Sequence, residues 1–123
     1  MLKIFLKLLI IIFTLSTCTS PIDSENKICT VAKITLGAVA SKNGAKQFAY
    51  FYRGKLFLDI ARFDARYFTF GDMFLIFIDK TNPEKYEMLK PRQKINNSRS
   101  FEKIDSINYY LDENDLNKLD SIE

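Results

Sequence analysis

The chain contains no histidine and no tryptophan, and it carries only two cysteines in 123 residues. Without histidine, the commonest general base, metal ligand and thiol-activating partner are missing, which leaves nucleophilic cysteine chemistry and imidazole-bearing metal sites without their partner. Without tryptophan, phenylalanine and tyrosine must supply the bulk of any core. Cys18 and Cys29 allow at most one internal disulfide, and none if Cys18 is modified. What is present is ample for folding: 47% hydrophobic and 14% aromatic residues are far from the composition of a disordered chain.

The amino terminus, "MLKIFLKLLIIIFTLSTC", begins with Lys3 and Lys7, continues through an apolar stretch from Leu8 to Phe13, and ends in small or polar residues. That is the layout of a secretory signal peptide. A spanning helix needs about 20 apolar residues, and here Pro21 and Asp23 follow soon after the run ends. A short uncleaved anchor is the alternative. Within this segment Leu15-Ser16-Thr17-Cys18 resembles the bacterial lipobox, with Thr17 where Gly, Ala or Ser is usual. The resemblance implies diacylglyceryl transfer to the Cys18 thiol, cleavage before it and acylation of the new terminus, which anchors durably because more than one chain enters the bilayer. Ordinary signal-peptidase cleavage between small residues Ser16 and Cys18 is the other outcome. The expected organisation is a signal peptide over 1–17, lipidated Cys18 and a tether over 18–27, a β-rich core over 28–90, and a polar loop, edge strand and acidic helix over 91–123.

Charge is nearly balanced after export but unevenly placed. Lys27 to Arg99 holds fourteen basic against six acidic residues, whereas Phe101 to Glu123 holds two against seven. Two readings follow. In one, a basic body attracts an anionic partner while the acidic tail competes for it. In the other, these are solvated faces that balance within the fold.

The body reads as strands. "ICTVAKITL" places Ile28, Ala32, Ile34 and Leu36 on one face and Lys33 and Thr35 on the other; Gly37 and Asn43-Gly44 signal turns. "KQFAYFYRGKLFLDIAR" predicts a hairpin turning at Arg53-Gly54, with Phe48, Tyr50 and Tyr52 alternating before it and Leu56, Leu58 and Ile60 after it. "MFLIFID" is apolar on both faces and predicts a strand covered on each side. A turn at Asn82-Pro83 and a short strand over 86–89 follow, then a polar loop, a possible edge strand in "SINYYL", and a terminal helix capped by Asp112 with Leu116, Leu119 and Ile122 at helical spacing. The fold class is mainly all-β: a small five-stranded sheet or open barrel with a short C-terminal helix.

The run "YRGKLF...FTFGDMFLIFIDKTNPEKYEM" resembles a family of uncharacterised small bacterial envelope lipoproteins that share a Gly-Lys-aromatic hairpin, a Gly-Asp turn into an apolar strand and an Asn-Pro turn. The resemblance implies a compact five-stranded sheet or barrel and an envelope location, either facing the periplasm or at the outer membrane. It brings no activity.

Candidate chemistry is sparse. Asp59, Asp64, Asp72 and Asp79 are the carboxylates that acid–base hydrolysis would need in converging pairs, and each reads better as a turn, strand-end or surface residue. The aromatics interleaved with cations between Phe48 and Phe70 are more suggestive. Tyr50, Tyr52, Arg53, Lys55, Arg62, Arg66 and Tyr67 form a possible binding surface, against the alternative that the rings are core. Two Asp-Ser-Ile triplets, at 105–107 and 120–122, resemble a bacterial O-glycosylation acceptor, and Asn96-Asn97-Ser98 fits an N-linked sequon. The expected function is a membrane-tethered, non-enzymatic interaction module of the envelope, with no cofactor, a protein or anionic glycan partner, and no nucleic acid. The alternative is an immunity or inhibitor protein against a secreted toxin or hydrolase.

Overall fold

The computed structural model describes residues 21–36 and 44–123; Cys18 and the segments 1–20 and 37–43 lie outside them. Six strands are formed among the described residues: β1 (Lys27–Thr35), β2 (Ala45–Tyr52), β3 (Lys55–Arg62), β4 (Met73–Asp79), β5 (Asn82–Met88) and the short β6 (Lys94–Ile95). The helix α1 (Glu113–Ser121) follows near the C-terminus. All ladders are antiparallel, in the order β3-β2-β1-β4-β5, and β6 pairs with the beginning of β4. The sheet curls until it is nearly closed into a barrel. No helix among the described residues is long and apolar enough to cross a membrane.

The inner face is filled by rings. Phe48 is fully buried and meets Tyr50, Phe63, Phe74 and Tyr86 with ring centroids 5.1–6.2 Å apart, contacts that add to the free energy of burial itself. Alternation puts Phe74, Ile76 and Ile78 of β4 on this face, and Met73, Leu75 and Phe77 on the other, so the strand is covered twice, as its two apolar faces require. No ladder joins β3 to β5. The seam is spanned by the Tyr50 hydroxyl, which donates to the Pro83 carbonyl at 2.6 Å, and by Tyr86. Burial, and then the Asp59 carboxylate facing it from β3, push the Tyr86 phenol up to about 12.

On the outer face, Leu116 and Leu119 of α1 pack against Val31, Ala49 and Leu75. Asp112 caps the helix by accepting from the Asp115 N–H at 3.1 Å. Lys33, expected on a polar strand face, is instead buried beneath the helix end. Its Nζ donates to the carbonyls of Leu119, Asp120 and Ile122 at 3.3, 3.0 and 2.6 Å, serving the orphan acceptors at the negative end of the helix dipole.

Several expected elements are corrected. The β4–β5 turn is Lys80-Thr81 rather than Asn82-Pro83. Pro83 lies in β5, which is an edge strand where a missing N–H costs no ladder bond. The polar stretch after Pro91 contains β6. "SINYYL" makes only a parallel bridge between Tyr109 and Cys29, filling the edge of β1 that β2 leaves free. The tether is docked from Pro21 onward, with Ile22 buried and its N–H donating to Glu87 Oε1 at 2.9 Å. Leu56, Leu58 and Ile60 alternate as expected, and the face they share, which the sequence left unassigned, points outward and is exposed. The two-residue turn pairs Tyr52 with Lys55, so Phe57 joins Tyr50 on the inner face and the Leu/Ile series falls on the outer one. The helix lies over β1 and β2.

Candidate binding cleft at the hairpin end of the barrel

Two hairpin turns meet at one end of the barrel. The β2–β3 turn has Arg53 at φ +51° and Gly54 at φ +80°, the pair of left-handed residues that a type I′ turn needs. Its backbone is clamped from the tail. The Arg53 N–H donates to the Tyr110 hydroxyl at 2.8 Å, the Gly54 N–H donates to Asp115 Oδ1 at 3.1 Å, and the Tyr110 hydroxyl donates to Asp115 Oδ2 at 2.5 Å. Burial first, then this carboxylate bond, push the Tyr110 phenol up to about 12. The β4–β5 turn is held by Asp79, whose Oδ1 accepts from the Thr81 N–H and hydroxyl at 2.8 and 2.6 Å. The hydroxyl bond is the main reason that carboxyl titrates below its usual range.

Between the turns lies an open cleft of about 500 Å³ lined by Tyr52, Arg53, Lys55, Phe57, Lys80, Asn82, Pro83 and Glu84. Arg53 lies over the Tyr52 ring at 5.4 Å and Lys55 over the Phe57 ring at 5.3 Å, while Phe57 stacks on Tyr50 with centroids 5.3 Å apart. Among the described residues, Arg53, Lys55 and Lys80 enter no ion pair, and Glu84 is the single acid of the lining. Cations set over aromatic faces at a concave mouth attract anions and offer a flat apolar floor beneath them.

The residues expected from sequence as one surface are divided by the structure. Arg53 and Lys55 are in the cleft, and Tyr52 forms its wall although only 7% exposed. Tyr50 is removed from the surface: it is 1% exposed because the β2 register turns it inward, and burial drives its phenol well above the ordinary range. Arg62, Arg66 and Tyr67 sit at the other end of β3, about 23 Å away at 3.3 Å per residue. There Arg66 pairs with Asp64 at 3.0 Å and lies over the exposed Tyr67 ring. Lys80 and Asn82 escaped the sequence reading because they lie in a second hairpin that only the barrel brings beside the first.

Other candidates are accounted for locally. Each of the four aspartates is engaged by a near neighbour in sequence: Asp59 by Ile60, Asp64 by Arg66, Asp72 by Thr69 and Asp79 by Thr81. Cys29 is free and wholly buried, with its thiol pushed up to about 12 by burial, the environment of an inert packing residue. Ser98 of the sequon is buried against Asp120, whereas Ser106 is exposed and Ser121 donates to the Lys118 carbonyl. The acidic tail serves the fold. Asp112 caps α1, Asp115 holds the hairpin turn, and Glu113 and Asp120 bind Arg99 at 2.8 and 2.6 Å. No family model, curated protein or solved structure matches the chain.

Proposed function

We propose that this is an exported bacterial lipoprotein, anchored through Cys18, whose barrel is a non-enzymatic interaction module of the cell envelope and binds an anionic partner at the hairpin-end cleft. The lipobox-like Leu15-Ser16-Thr17-Cys18 and the envelope-lipoprotein resemblance support the location. The observation that carries the binding reading is the trio Arg53, Lys55 and Lys80, which enter no ion pair among the described residues and line the cleft with its aromatic floor. An interior packed with rings turns binding to the outside of the barrel.

The test is a titration of the full chain with polyglutamate, an acidic polysaccharide and anionic vesicles, alongside the triple variant Arg53→Glu/Lys55→Glu/Lys80→Glu. The wild type binds at least one of these and the variant loses that binding while melting at the same temperature. Equal binding by both proteins overturns the assignment of the cleft. Labelled fatty acid is taken up by the wild type and not by Cys18→Ser; absence of label in the wild type overturns the anchor. The immunity or inhibitor alternative is favoured by one feature, the exposed stripe Leu56, Leu58 and Ile60 beside the cleft. It predicts a tight protein complex that Leu58→Glu destroys and the triple charge reversal does not.

A further inference from the structure

A strand edge lies open beside the cleft. β3 ends the strand order, and no ladder joins it to β5. A two-residue type I′ turn closes on a hydrogen-bonded pair, here Tyr52 with Lys55, and the pattern then repeats every second residue. Lys55, Phe57, Asp59 and Ala61 therefore turn their main-chain groups to β2, and the even-numbered residues turn theirs to the seam. Two contacts agree with this assignment: the Ile60 N–H donates to Asp59 Oδ1 at 2.7 Å, and Arg92 donates to the Arg62 carbonyl. Both occupy the far half of the edge. Nearer the turn, the seam-side N–H and C=O groups of Leu56 and Leu58 have no partner among the described residues.

An extended segment laid along this edge meets two different surfaces, because residues opposite one another across a ladder share a face. On the cleft side it meets Lys55 and Phe57, with Arg53 at the turn and Lys80 on the facing wall. These three cations outnumber Glu84, the acid of the lining. On the outer side it meets Leu56 and Leu58, which are 42% and 53% exposed. Asp59 follows Phe57 on the cleft side, so the face turns acidic at the point where the edge becomes blocked at Ile60.

Resting on the anion-binding reading of the cleft above, we infer that its partner is an extended acidic peptide segment that adds a strand to the free edge of β3. Its main chain bonds to Leu56 and Leu58. Its acidic side chains face Arg53, Lys55 and Lys80, and the apolar residues alternating with them cover the two leucines. Strand addition of this kind draws affinity from main-chain hydrogen bonds and selectivity from alternate side chains. An acidic polysaccharide lacks the peptide main chain and would engage the cations alone.

The full chain is titrated with two synthetic hexapeptides blocked at both ends, one alternating glutamate with leucine, the other holding the same residues in two separate blocks. The alternating peptide is expected to bind severalfold more tightly. Amide exchange at Leu56 and Leu58 is expected to slow severalfold when it is bound, and exchange at Phe57 and Asp59, already bonded to β2, to change less. Leu58→Glu weakens this binding, and the folded triple charge-reversal variant loses it. Equal affinity for the two peptides, or unchanged exchange at Leu56 and Leu58 in the bound state, overturns the inference, as does binding of the alternating peptide that survives the charge reversal. If strand addition fails while polyglutamate or acidic polysaccharide still binds the wild type and not the variant, the anion-binding cleft stands without an added strand. If no anion binds, both fall.

Discussion

The two ends of the barrel use their cations in different ways. At the far end the β3–β4 connection folds back as a plug. Phe63 and Phe68 are buried against Phe48 and Phe74, and three of the cations around them are engaged by the protein itself. Arg92 lies over the Phe63 ring and donates to the Arg62 carbonyl, Lys94 pairs with Asp72 at 3.0 Å, and Arg66 pairs with Asp64. At the hairpin end the two turns flank an open cleft in which Arg53 and Lys55 lie over ring faces, and Arg53, Lys55 and Lys80 enter no ion pair among the described residues, although Glu84 shares the lining. A surplus of positive charge counted along the chain therefore says little about how much of it faces a partner. What matters is which cations the fold has already paired.

The sharpest way to break this comparison is to remove the plug. Phe63→Ala deletes a ring that is 4% exposed and touches three others, and should cost about 3–5 kcal/mol in urea unfolding. Losing the Arg53 and Lys55 side chains at the open end should cost at most about 0.5 kcal/mol, as exposed surface changes do. A loss below about 1 kcal/mol for Phe63→Ala would mean that the far end is not closed by packing.

The next effect lies at the seam. Tyr50→Phe removes the hydroxyl that donates to Pro83 at 2.6 Å, leaving a carbonyl at the cleft wall without its partner, and should cost about 1 kcal/mol. Amide exchange should rise in β5 more than in β1 or β2. Uniform exchange across the sheet would mean that the seam is not held by this bond.

A smaller, pH-dependent effect separates the tether side from the rest. Burial raises the Glu87 pKa, but the Lys27 hydrogen bond, the Ile22 N–H and nearby lysine charge outweigh it, so the folded carboxyl titrates below its ordinary value of 4.5. A depressed folded pKa contributes stability that is full above the unfolded pKa and is lost as pH falls through the folded one. Unfolding free energy should therefore decline as pH drops below about 4.5, and Lys27→Met should flatten that part of the curve. Parallel curves for the two proteins would remove Glu87 from the docking of the tether.

The smallest effect tests the charges directly. Lys94→Ala at the plugged end breaks a half-exposed pair worth about 0–1 kcal/mol and should leave anion binding unchanged. Lys80→Ala at the open end should barely alter the melting temperature yet weaken anion binding measurably. Identical binding losses from the two variants would erase the difference between the ends.

Much of the barrel was legible beforehand because it depends on local spacing. Alternation over Phe48, Tyr50 and Tyr52, the turn at Arg53-Gly54, the doubly apolar "MFLIFID" and the Asp112 cap each act within a few residues, and the structure bears them out. Leu56, Leu58 and Ile60 alternate as expected, but alternation identifies a face without saying which face is inside. The register across the turn placed Phe57 beside Tyr50 and left the Leu/Ile face on the outer side, where the helix lies over β1 and β2. Lys33 misled for a related reason: in an isolated strand a lysine marks the wet face, but a helix end laid across it supplies three carbonyl acceptors.

The sequence by itself determined strands β1 to β3, the hairpin between β2 and β3 and the covered strand β4, since backbone sterics, turn geometry and side-chain alternation are properties of neighbouring residues. Only the tertiary structure decided which rings are core, which acids serve the fold and which cations are free. Those outcomes depend on contacts between residues far apart in the chain: Lys80 becomes a neighbour of Lys55 because two hairpins share one end of a curled sheet, and Asp115 is engaged because α1 returns to the turn at Gly54. Electrostatic and packing energies fall off over a few ångströms in space, whatever the separation along the chain.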